Sequence, residues 1–404
     1  MPRETRRRAG NVLALVASTV LSLTAVVLLL RGYEALLGAD ISHKYFVEPR
    51  PVLWEPDSEI GFRNRENLTH QIFGKLVCHT NSSGFRTRRD LSPGRAPGSF
   101  RIFGVGDSVM WGSRVNQEDS LLGMLEPLLS GVLPNLEVIN AGVVGYSAYQ
   151  ERLLFERRVV PYAPDLVLVN FCANDYLPTE DPFGNVRGIY ARYLRSLDAP
   201  DSPAVGALSS VLESPHAWGA LNRAIRDPRM QRSIREVLID RPIIEMARIA
   251  RERDIRLVYL LIPLTFEKPR DRVLRLQVRR TLSDNGIEYI DFSDALSEDK
   301  EIYRRERAFE ESFVHRMVER SRFHILVNAV SLGALDPLRS LRNISRLRGI
   351  EAAQESRNYI DHIGHPNQRG NRIIAEGILS YLSSSPEARR LEEGSNRPSG
   401  AAHR

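Results

Sequence analysis

From about residue 100 onward, short apolar runs alternate with longer amphipathic stretches. Runs at 101–105, 136–140, 165–171, 256–262 and 287–292 are β-branched and apolar, without the polar alternation of a half-exposed strand. They predict strands buried on both faces. Helical spacing predicts helices over 119–129, 148–160 and 243–253, with Ser147 and Gln150 spaced as a capping box, and a last helix after Asn367. Strands separated by helices predict an α/β fold, a doubly wound parallel sheet with helices on both faces and right-handed crossovers.

This pattern fills 101–384, with insertions at about 180–241 and 300–357. The second insertion is rich in Arg and Glu at helical spacing and reads as a helical cap. Residues 40–98 carry scattered aromatics, prolines and turn clusters, and read as a strand-rich lead-in. Residues 385–404 read as a disordered polar tail.

The N-terminus has a different character. Residues 1–10 hold Arg3, Arg6, Arg7 and Arg8, and the next 20 residues, 11–30, carry no charge. At about 1.5 Å rise per residue such a run spans a hydrocarbon layer. It predicts a single-pass anchor over 11–31 with a cytoplasmic N-terminus and the remainder periplasmic or extracellular. A cleaved signal peptide is the alternative. The run is longer than a signal core and no small-x-small site follows Leu30.

Composition narrows the function classes. The net charge of +6 is spread along the chain, with no basic run interleaved with aromatics, so nothing points to nucleic acid. The two cysteines, Cys78 and Cys172, exclude a disulfide-rich scaffold and a Cys-based zinc cluster. They either pair or leave Cys172 as a packed thiol near Asn174.

Candidate chemistry lies where strands end. Gly106-Asp107-Ser108 follows the first core strand, and its Ser is either a nucleophile or a turn residue. The loop 140–145 after the second strand contains Gly142 and Gly145, which let backbone approach a ligand or simply turn tightly. Asn174-Asp175 follows the third strand, where Asn174 can donate to an oxyanion or cap a turn. Near the C-terminus, Asp361 and His365 precede the last helix and suit a general base with its orienting carboxylate. His362 beside His365 also admits a metal pair, but no third and fourth ligands stand nearby.

Together these blocks resemble the SGNH hydrolase family, the GDSL esterases. Gly106-Asp107-Ser108, the 140–145 loop, Asn174-Asp175 and His365-Pro366-Asn367 match its four blocks in order. The segment Asn81-Ser82-Ser83-Gly84-Phe85-Arg86 resembles the lead-in of membrane-anchored bacterial members. The resemblance implies a flavodoxin-like three-layer fold and Ser108 as nucleophile. It implies His365 as base and Asp361 as its orienter. The oxyanion hole would comprise the Ser108 and Gly145 N–H groups with the Asn174 amide. It implies no metal or cofactor. The family places its Asp three residues before the His, a place held here by His362. Asp361 would need a bulged loop to reach His365, or a backbone carbonyl would orient His365 instead.

Other readings are weaker. A dinucleotide fingerprint fails because Val109 stands where the third glycine belongs, and a lipase elbow at Gly145-Tyr146-Ser147 lacks its last glycine, Tyr149 standing there. The expected activity is hydrolysis of O-acyl esters, acetyl among them, on small molecules or on envelope or extracellular glycans. An O-acyltransferase using the same acyl-enzyme and a non-catalytic assembly module on the same fold are the alternatives.

Overall fold

The computed structural model describes Ser18 and residues 53–72, 76–94, 98–113, 115–133, 135–176, 182–197, 205–206, 208–209, 228–263, 269–296 and 365–384. All of these except Ser18 fall in one unit of the chain, Glu48–Asp299 with Ala353–Arg404. The expected anchor at 11–31, the 300–357 insertion, Asp361 and the tail lie outside the described residues. Among the described residues no helix is long and apolar enough to cross a membrane.

Two antiparallel hairpins come first: β1 (Trp54–Asp57) with β2 (Gly61–Asn64), and β3 (Thr69–Ile72) with β4 (Leu76–His79). The α/β part then runs β5 (Phe100–Val105), α1 (Ser108–Trp111), α2 (Leu121–Ser130), β6 (Leu136–Asn140), α3 (Ala148–Leu154) and β7 (Leu166–Phe171). It continues through α4 (Val186–Arg195), α5 (Pro228–Arg235), α6 (Arg241–Glu252), β8 (Arg256–Leu261), α7 (Pro269–Asp284), β9 (Glu288–Asp291) and α8 (Gln368–Ser383).

The five strands β5 to β9 form one parallel sheet in the order β6-β5-β7-β8-β9. Counted from β5, this is 2-1-3-4-5, the flavodoxin-like doubly wound order. Alternate strand residues feed two cores. Phe103, Val105, Val167 and Val169 pack with Leu153 of α3 and with Ile243 and Met246 of α6. Ile102, Leu166, Leu168 and Val258 pack with Leu121 and Leu125 of α2 and Ile374 and Ile378 of α8. Contact on the second face is close: a Cβ at Gly104 would lie 2.5 Å from Leu122 Cδ1.

Two local expectations are revised, and one open alternative is decided. The Ser147–Gln150 capping box does not form. Ser147 stands at the N-cap of α3 with no side-chain cap bond; its hydroxyl meets the Tyr190 hydroxyl, and Gln150 Nε2 donates to Ile60 O at 3.0 Å. Tertiary partners outcompete the local motif. The helix expected over 148–160 ends its α-helical part at Leu154 and continues as a π-helical turn, Phe155–Val159. Cys78 and Cys172 are both free and buried.

The lead-in is part of the core. Trp54, Ile60, Phe62 and Phe85 belong to the same buried cluster as β5 and β7. The Phe62 ring meets Tyr146 edge-on at 5.2 Å, and Asn64 Nδ2 donates to Gly142 O at 2.9 Å. The first hairpin therefore braces the loop after β6.

Candidate active site

The order β6-β5-β7 places the turns after β5 and β7 side by side at the carboxyl edge, where the winding reverses. The turn after β5 is tight for a visible reason. A Cβ at Gly106 would lie 1.7 Å from Asn170 Oδ1, so only glycine fits. Asp107 then caps α1, its Oδ1 accepting from Val109 N at 2.9 Å. The helix lasts one turn, closed by Gly112 at φ +78°. Ser108 is its first residue.

His365 is brought to Ser108 across 257 positions of sequence. Its Nε2 lies 2.9 Å from Ser108 Oγ, and the His is only 9 % exposed. Ser108 Oγ also lies 3.4 Å from Asp107 Oδ2. Hydroxyl bonds are normally 2.5–3.0 Å, so the imidazole is the better acceptor. With Nε2 accepting, the ring hydrogen sits on Nδ1, the atom an orienting group would hold. Asn367 caps α8 just behind, accepting from Gly370 N at 2.9 Å, which fixes where the His loop enters the helix.

Asp107 gathers the rest of the site. Its Oδ2 accepts from Asn174 Nδ2 at 3.0 Å and its Oδ1 from Asn170 Nδ2 at 3.0 Å. Asn174 thus lies against the same carboxylate oxygen as Ser108. One hydrogen of its amide goes to Asp107, and the other is left to donate elsewhere. The two glycines of the β6 loop separate in role. Gly142 N donates to Asn140 Oδ1 at 2.9 Å and is occupied. The Gly145 N–H, at φ +89°, has no acceptor among the described residues, and neither has the Ser108 N–H. These donors are the ones an oxyanion would need.

Arg86 supports this arrangement from the lead-in. Its buried guanidinium donates to Trp111 O, to Gly112 O at 2.9 Å and to Val115 O at 2.8 Å, and sits 5.1 Å from the Trp111 ring. Positive charge at the end of α1 complements the carbonyls that the helix itself leaves unpaired there. Asn140 Nδ2 donates to Met110 O at 2.8 Å from the other side.

Behind the site lies a group of buried acids. Glu151 on α3 and Asp175 after β7 are both buried. Burial pushes both carboxyls well above the usual range, with the charge of Asp107 adding to each and that of Glu151 adding to Asp175. Cys172 is raised by the same burial and by the Asp107 and Asp175 charges.

A serine hydroxyl and an imidazole in contact, beside unsatisfied N–H donors, are groups that could serve acyl transfer. The model of the GDSL-like lipase/acylhydrolase family matches residues 105–315, more than half of the chain. The chain belongs to this family. It is an SGNH-type serine ester hydrolase. Solved structures similar to this esterase include an acetyl xylan esterase, AlAXEase, at 14 % identity and TM-score 0.35, covering 70 % of this chain and 100 % of that one. A psychrotrophic esterase, EstA, from Pseudoalteromonas sp. gives 11 % identity and TM-score 0.34, over 70 % and 96 %. A catalytic mutant of Axe2, an acetylxylan esterase from Geobacillus stearothermophilus, gives 12 % and 0.34, over 71 % and 95 %. No curated protein matches the chain.

Of the expected site residues, the esterase brings together Ser108, His365 and Asn174, with Gly145 in the adjacent loop. Asp361 lies outside the described residues. Sequence reasoning missed Asn170, Glu151 and the site contacts of Arg86. Asn170 had a signal, a carboxamide inside the apolar strand LVLVNF. Glu151 had none, because an acid in the first turn of a helix is an ordinary partner of the helix dipole.

Proposed function

We propose that this esterase cleaves O-acyl esters through a Ser108 acyl-enzyme, with His365 as base and acid and Asp361 as its orienter. The observation that carries the reading is the 2.9 Å bond from Ser108 Oγ to His365 Nε2 in a partly buried site. Ser108 Oγ attacks the ester carbonyl carbon as its proton passes to Nε2. The carbonyl oxygen becomes an oxyanion and takes hydrogen bonds from the Ser108 and Gly145 N–H groups and from the second Asn174 hydrogen. Collapse breaks the C–O bond to the alcohol, which receives the proton from His365. Water then attacks the acyl-Ser108 ester, giving its proton to His365, and the acid leaves as Ser108 recovers its hydrogen.

The uncharged run at 11–30 behind four arginines supports a single-pass anchored enzyme whose catalytic part faces outward. Acyl groups on envelope or extracellular glycans, acetyl among them, are the substrates accessible on that side.

The test uses the full chain in detergent micelles. Turnover of p-nitrophenyl acetate and acetate release from an O-acetylated polysaccharide are compared with Ser108→Ala and His365→Ala. Loss of about 10³-fold in kcat is expected in both variants. Retained turnover in either folded variant overturns the mechanism. Turnover of the small ester without acetate release from the glycan overturns the substrate.

A further inference from the structure

Asp175 follows Asn174 in the chain and is completely buried, yet it takes no part in the reaction described above. It makes three bonds that concern the oxyanion hole. Its Oδ2 accepts from Cys172 N at 2.8 Å, and its own N–H donates to Cys172 O at 3.1 Å. These two bonds close the turn that carries Asn174. Its carbonyl accepts from Ala148 N at 3.0 Å. Ala148 is the first residue of α3, three positions after Gly145. Two of the three oxyanion donors therefore stand on segments that Asp175 ties to each other.

We propose that Asp175 is a positioning residue for the oxyanion hole, holding the Asn174 amide in register with the Gly145 loop. This rests on the reading of Ser108 and Asn174 given above. The side-chain bond needs an acceptor at Oδ2 and nothing more. The other oxygen, Oδ1, has no hydrogen-bond partner among the described residues, and neither has Glu151 Oε1 nearby. A carboxylate in that place would stand unpaired beside Asp107, which already collects the Val109, Asn170 and Asn174 donors. Burial, with the Asp107 charge adding to it, raises the Asp175 carboxyl and favours its neutral form. A carboxamide reproduces that neutral group, with one oxygen to accept from Cys172 N and an N–H₂ in place of the O–H.

Two substitutions separate alignment from mere stability. Asp175→Ala removes the side-chain bond and keeps the backbone ones. Ala148→Pro removes the N–H that joins the turn to α3 and keeps the Asp175 side chain. Proline is tolerated at the first position of a helix. Ser147 before it already has the extended backbone that proline demands, φ −114° and ψ 165°.

The experiment measures kcat and KM for p-nitrophenyl acetate with the full chain in detergent, alongside urea unfolding of each variant. Loss of one oxyanion donor costs about 10²–10³-fold in kcat. A loss of about 10²-fold is therefore expected in Asp175→Ala and in Ala148→Pro, with KM within about twofold. Asp175→Asn should stay within about threefold of wild type in both parameters. The proposal is overturned if folded Asp175→Ala or Ala148→Pro keeps its kcat, or if Asp175→Asn falls with Asp175→Ala. Should Asp175→Ala fail to fold, Ala148→Pro and Asp175→Asn still decide. Activity surviving in Ser108→Ala overturns the underlying reading and this role with it. Activity lost there but kept in Asp175→Ala overturns this role alone.

Discussion

Replacing Glu151 by Gln should stabilise the protein, and by an amount that grows with pH. Glu151 is only 2 % exposed, and its Oε1 has no hydrogen-bond partner among the described residues. Burial first, then the Asp107 charge, raises its carboxyl well above the ordinary value. In the unfolded chain it titrates near 4.3. Below that pH the carboxyl is protonated in both states, so wild type and Glu151→Gln should differ little. Above it the unfolded wild-type chain ionises while the folded one keeps its proton. Each further pH unit then favours the unfolded state by about 1.4 kcal/mol, until the folded carboxyl itself ionises. Gln pays no such penalty. At about 3 kcal/mol/M, each such pH unit widens the urea-midpoint difference by about 0.5 M. The assay is urea unfolding of both proteins at pH 4, 5, 6 and 7, followed by tryptophan fluorescence. A difference that does not change with pH, or a variant that falls further behind as pH rises, would refute the reasoning.

Three other substitutions probe the same site. Arg86→Met leaves the Val115 carbonyl without its donor, while Gly112 O keeps Val115 N at 3.4 Å and Trp111 O keeps Asn140 Nδ2 at 3.3 Å. At about 1–3 kcal/mol for an orphaned carbonyl, unfolding free energy should fall by about 1–3 kcal/mol, and an unchanged urea midpoint counts against the buttress. Gly142→Ala places a Cβ 2.4 Å from Trp111 N, so α1 must shift; ester turnover should drop by about 10-fold or more, and unchanged kinetics would show that the loop yields instead. Asp107→Asn sets an amide against the Asn170 and Asn174 donors; kcat should fall by about 10²-fold with KM steady, as measured on p-nitrophenyl acetate.

The sheet was legible because its three central strands, β5, β7 and β8, are buried on both faces, and partly buried β6 and β9 are still short apolar runs. All five apolar runs became strands, with β6 at 136–140 as expected and the other boundaries within one residue. Short-range patterns fared worse wherever a distant partner intervened. Ser147 and Gln150 have capping-box spacing, but Tyr190 and Ile60 claim their side chains. Helix α1 has only four residues, too few for a period, and α7 mixes its apolar positions with five arginines, so neither was foreseen. Ser108, Asn174 and His365 were found as separate blocks at element ends. Their contact through Asp107 was not, because it depends on β7 pairing with β5, and sheet order is not written in either strand alone. The bracing by Asn64 and Arg86 was invisible for the same reason.

That shared carboxylate explains why the residue before the nucleophile is an acid. Among the described residues, the N–H groups directed at Asp107 all donate: the Val109 N–H and the Asn170 and Asn174 amides. Only an acceptor-only side chain satisfies such a set, and an ionised carboxylate is the one available. It also decides which way the Asn174 amide faces, because only its nitrogen can turn toward Asp107. The arrangement places a fixed negative charge beside the position where an oxyanion must form. A second and third charge there, from Glu151 and Asp175, would oppose the same step through a low-dielectric interior. Burial, with the Asp107 charge adding to it, pushes both carboxyls toward the neutral form. The variants that lock the two acids neutral, Glu151→Gln and Asp175→Asn, should therefore be the ones the enzyme tolerates.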